Sequence, residues 1–112
     1  MTVQETIKQL TEAEKALKNC IGSSCQDEAG HYVSCLARAR VETAIQKQKA
    51  YALCVTEMAN GSSATKAQTL MKASDEYKIY LGYEGCCEGL LEMIRSMRAK
   101  GKDDDSERMM TK

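Results

Sequence analysis

Not one of the 112 residues is proline, and Phe and Trp are also missing. Proline is the one residue that reliably breaks a helix interior, because it lacks the amide N–H and clashes with the preceding turn. A chain without it can run long helices, interrupted only by glycine and by polar turn residues. An all-β sandwich, which needs a turn every 8–12 residues or so, is a poor fit. The length corresponds to one small domain.

The apolar residues recur at helical spacing. Over about residues 2–20 they are Val3, Ile7, Leu10, Leu17 and Ile21, with Glu14 in a skipped position. Residues 22–30 hold two Gly and two Ser and read as a turn, with Asp27 as N-cap of the next element. A second helix spans about 30–60, with Val33, Ala37, Val41, Ala44, Gln48, Tyr51, Val55 and Met58 in one row and Leu36, Ile45 and Leu53 widening it. Asn60-Gly61 is a helix stop, since both residues tolerate the left-handed conformation. Ser63 caps a third helix over about 63–100, whose row is Leu70, Ala73, Tyr77, Leu81, Cys87, Leu91 and Ile94. The prediction is therefore an all-α fold: a long antiparallel helical hairpin, about 30–60 and 63–100, with a shorter N-terminal helix packed on it. Residues 1–100 form the domain and 101–112, rich in Asp, a disordered polar tail.

Charge excludes further classes. Sixteen Lys and Arg balance sixteen Asp and Glu, so no net positive field draws the chain to nucleic acid. No stretch approaches the ~18–20 apolar residues of a membrane span. The N-terminus carries no secretory pattern, so the expected compartment is the cytoplasm, where the six cysteines stay reduced and pack as small apolar residues.

Four residues, Cys20, Cys25, His31 and Cys35, have the donor types of a zinc site, with His31 and Cys35 one helical turn apart. The ligand order matches a zinc knuckle, but every interval differs, so no cofactor is expected beyond this candidate zinc. Gly82, Gly85 and Gly89 share one face of the third helix. Each costs roughly 1 kcal/mol of helix propensity relative to Ala, and small residues on one face admit a crossing backbone from the first helix or a second subunit. Tyr80 and Tyr83 are interaction candidates, because Tyr is enriched at binding hot spots. Arg38, Arg40, Arg95 and Arg98 come together as one basic end in an antiparallel hairpin, an alternative nucleic-acid contact that Asp103–Asp105 would screen. No nucleophile–base set, nucleotide loop or paired-carboxylate cleft is evident, so an enzyme is not expected.

Residues 47–100 resemble small helical-hairpin proteins encoded by tailed phages and prophages. The matching positions are Tyr51, the turn Gly61-Ser62, the run Asp75-Glu76-Tyr77, and Arg95 and Arg98. The resemblance implies an accessory role beside phage recombination or replication proteins. The residues themselves point to a non-enzymatic interaction or assembly protein. Seams built from Ala, Cys, Val, Leu and Met leave apolar surface uncovered on a long hairpin, which predicts a homodimer or a helical protein partner.

Overall fold

A computed structural model describes residues 2–110, with side chains as far as Asp103. It contains four helices: α1 (Val3–Asn19), α2 (Ser23–Ala59), α3 (Ala64–Lys72) and α4 (Asp75–Met110). Helices α2 and α4 form the antiparallel hairpin, and α1 packs along it, in a rod 72 Å long.

Local chemistry sets most boundaries. Thr2 closes a capping box: its hydroxyl accepts from the Glu5 amide at 3.1 Å, and Glu5 accepts from the Thr2 amide at 3.3 Å. Gly61 has φ 98°, a backbone conformation that costs glycine nothing, and Ser63 accepts from the Lys66 amide to start α3. These two signals act as the sequence predicts.

Four boundaries differ. Helix α2 begins at Ser23, so residues 23–30 are helical and Asp27 lies inside the helix rather than at its cap. The reversal between α1 and α2 is made in a few residues by Gly22, with φ 58°, and by Ser24, whose hydroxyl bonds both the amide and the carbonyl of Ile21. The expected helix over 63–100 is two helices. Ser74 donates to the Met71 carbonyl and accepts from the Tyr77 amide at 3.2 Å, ending α3 and capping α4. Finally, α4 does not stop at Gly101 but continues through the 101–110 backbone that was expected to be a disordered tail.

The core lies between α2 and α4 and is closed by α1. It comprises Ala29, Tyr32, Cys35, Leu36 and Ala39 of α2, Leu90, Ile94 and Met97 of α4, and Ala13 of α1. This overturns the predicted seam of α2. Val33, Ala37, Val41, Ala44, Gln48, Tyr51, Val55 and Met58 are all exposed. At 100° per residue, the row used runs about 120° round the helix from the row expected. Its small members, Cys25, Ala29, Ala39 and Ala50, are at most 1% exposed, as close approach of a second backbone requires.

Candidate interaction surface

The six cysteines divide by position. Cys20 and Cys25 are joined as a disulfide with Cα atoms 4.9 Å apart, within the usual range, and both are buried. The expectation of six reduced thiols is therefore corrected for this pair, and the zinc candidate fails with it. Cys35 is buried in the α2–α4 core, and His31 is exposed. Among the described residues no three His, Cys, Asp or Glu side chains converge on a metal position. The spacing allowed the set, but the bridge needs only the short reversal at Gly22.

The disulfide turn is clasped by the far end of α4. Lys100 Nζ donates to the carbonyl oxygens of Leu17 at 2.8 Å and Lys18 at 3.3 Å, capping the C-terminus of α1 with a positive charge. Gln26 Nε2 donates to the Arg98 carbonyl at 3.3 Å. A β-carbon at Gly101 would stand 3.1 Å from the Gly22 carbonyl oxygen and 3.3 Å from Cys25 Cβ. Gly101 is thus a packing glycine inside α4. In the sequence it has the look of a stop signal, because a glycine after Lys100 suits either role.

The glycine face of α4 is used within the chain. A β-carbon at Gly82 would lie 3.4 Å from Val3, and one at Gly89 only 2.8 Å from Leu10. Helix α1 crosses at these two positions, as one of the two sequence readings holds. Gly85 meets nothing within 4 Å. Tyr83 is buried beneath α1 rather than displayed to a partner, whereas Tyr80 is half-exposed on the other side of α4.

The four arginines lie on different sides of the hairpin and do not form one patch. Arg38 lines a groove beside α1 with Glu5 and Glu42. Arg40 lines the groove on the opposite side, with Glu84 and Glu88 of α4. Arg95 pairs with Glu92 at 3.6 Å, and the Arg98 backbone holds Gln26. Each of the first three has carboxylates beside it, so the positive charge is locally screened.

What remains open is the side of the hairpin away from α1. Here α2 presents its exposed row, with Tyr51 47% and Val55 66% accessible, while Val41 at the edge of the row borders the groove beside α1. Between this row and α4 runs a shallow groove floored by Thr43, Ala44, Cys87 and Leu91. The Thr43 hydroxyl and the Cys87 thiol are 3.4 Å apart across it. Lys47 reaches over the rings of Tyr51, 5.8 Å away, and Tyr80, 6.0 Å away. The Tyr80 hydroxyl is hydrogen-bonded to the Glu84 carboxylate, which pushes its pKa up to about 12. The rim is charged by helix of the hairpin: cations, Arg40 and Lys47, on α2, and carboxylates, Glu84 and Glu88, on α4.

No protein-family model, curated protein or solved structure matches this chain. Among the described residues, no helix is long and apolar enough to cross a membrane.

Proposed function

We propose that this protein is a helical assembly element, which works by burying the open side of its hairpin against other helices and not by catalysis. One observation carries the reading. The outer row of α2 repeats apolar residues at steps of 4, 4, 3, 4, 3, 4 and 3 from Val33 to Met58, broken by Gln48 alone, and every member is exposed. A 3.5-residue repeat is the pattern of a helix that packs lengthwise on another helix. Scattered exposed apolar residues need no explanation, but an aligned row seven turns long does. A homodimer satisfies it without any further component. The accessory role implied by the phage-hairpin resemblance fits the same reading, since accessory proteins act through contact.

Light scattering or sedimentation of the purified chain tests this. The expected mass is twice the 12.4 kDa of one chain. Introducing charge in the row, by Tyr51→Glu with Val55→Glu, is expected to yield a monomer of unchanged helical content. A monomer at 100-micromolar order in the unmodified chain overturns the homodimer.

A further inference from the structure

We infer that two copies associate face to face about a two-fold axis parallel to the hairpin, so that α2 of each lies on α4 of the other and the two α2–α3 tips sit at the same end. This rests on the assembly reading above and adds the geometry. The occupant of the open face is thereby a second copy of this chain.

The argument is one of charge and level. Helix α1 occupies only one side of the α2–α4 pair. On α4 its contact glycines, Gly82 and Gly89, stand about 140–180° round the helix from Glu84 and Leu91. The opposite side carries a shallow groove with small residues on its floor, Ala44 and Cys87 among them, which lets a second helical layer approach closely. Its rim is polarised across the pair: Arg40 and Lys47 on α2, Glu84 and Glu88 on α4. They pair off by level along the rod, Arg40 with Glu88 and Lys47 with Glu84, because all four line one groove and Thr43 touches Cys87 between them.

Two hairpin layers can be stacked by two kinds of two-fold axis. An axis across the helices lays α2 on α2 and α4 on α4. Where that axis passes the level of the groove it sets cations over cations and carboxylates over carboxylates, which is unfavourable at an interface. An axis along the helices lays each α2 on the partner's α4 and keeps residues at their own level. Arg40 and Lys47 then face carboxylates of the partner, twice over by symmetry, as an isologous interface requires. Facing helices are antiparallel in this arrangement, and the apolar row of α2 meets the side of α4 that carries Tyr80 and Leu91. Arg95 on that side is already paired with Glu92, and Arg98 and Lys102, which share the same face of α4, lie beyond the groove, toward the level of Gln26.

The test uses the full chain with a ketone-bearing amino acid at position 62, spin-labelled there so that the cysteines stay unmodified. Pulsed dipolar spectroscopy should give an inter-label distance under about 30 Å, since the tips lie side by side in layers about 10 Å apart. A dimer with the labels on the order of 50 Å apart, the length of α2, overturns the axis proposed here and leaves the assembly reading standing. A chain that scatters as a monomer overturns both. Charge exchange gives an independent measurement. Arg40→Glu with Lys47→Glu, and separately Glu84→Lys with Glu88→Lys, should each weaken self-association by about tenfold or more. Mixing the two should restore the dimer mass as a heterodimer. Folded variants that stay dimeric alone and gain nothing on mixing overturn the geometry.

Discussion

The ammonium of Lys100 sits 2.8 Å from the carbonyl oxygen of Leu17, joining residues 83 positions apart. The last carbonyls of α1 have no helical partner of their own, and this lysine supplies one, with a charge of the sign that a helix C-terminus favours. Lys100→Met keeps the length of the stem and removes the donor. A hydrogen bond from a charged group contributes about 1.5–3 kcal/mol. Because Lys100 is only half-buried, we expect a loss near about 1.5 kcal/mol in urea denaturation, with no change in helical content.

The cysteines should separate into three classes under alkylation. In denatured but unreduced protein, four thiols should be modified, and six after reduction, with Cys20 and Cys25 the pair revealed. In native protein Cys54 and Cys87, which are half-exposed, should react first. Cys35 and Cys86 are buried, and desolvation raises both thiol pKa values, which lowers the thiolate fraction that reacts. Replacing Cys20 and Cys25 by Ser should cost about 2 kcal/mol, as expected for so short a closed loop. Mass spectrometry and denaturation read these outcomes.

Glycine-to-alanine substitutions along α4 should differ in sign. Gly85 has open space where a β-carbon would go, so Gly85→Ala gains helix propensity and should stabilise by about 0.5–1 kcal/mol. Gly101→Ala would press on the backbone oxygen of Gly22, which cannot swing aside. It should destabilise despite the same gain in propensity. Thermal melts of the two variants against the unmodified chain decide this. Equal shifts in one direction would contradict the packing at Gly101.

Tyr80 should be identifiable by titration. Its bond to Glu84 holds the phenol protonated to about pH 12, above the ordinary value near 10. The folded pKa is raised, so the contribution to stability is complete below pH ~10 and is lost as pH rises from there through about 12. Absorbance at the phenolate band should show one late-ionising tyrosine that disappears in Tyr80→Phe. In Glu84→Gln it should move toward the ordinary value. Tyr80 lies near the surface, so the associated change in stability should be small.

The helices, their antiparallel order and the Gly61-Ser63 corner were legible because each rests on a local signal: periodicity, a positive-φ glycine, a capping hydroxyl. The seam of α2 was not. That helix carries two rows of small and apolar residues, and periodicity ranks them by hydrophobicity, which favours Val33, Val41 and Val55. The fold instead buries the row of Ala29, Leu36 and Ala39, chosen by what α4 presents, and a single-helix pattern holds no trace of that. Gly101 failed for a related reason. Its meaning lies in Gly22 and Cys25, which are far away in sequence. The zinc set was misread because donor types and spacing do not tell a metal site from a disulfide beside a buried thiol. The open groove was hardly visible at all: Arg40, Lys47, Glu84 and Glu88 look like ordinary solvated charges until α2 and α4 are laid side by side.

The clasp at the α1–α2 turn also sets an order of events during synthesis. Leu17, Gly22 and Gln26 leave the ribosome long before Arg98, Lys100 and Gly101, yet the second group completes the environment of the first. Helix α1 must wait, its closing carbonyls bonded to water, until about eighty more residues have been made. The α2–α4 hairpin, joined through α3, has its own contacts to form in the meantime. The chain thus begins with the helix that docks last, and a truncation removing Arg98 onward should loosen the first twenty residues before it disturbs the hairpin.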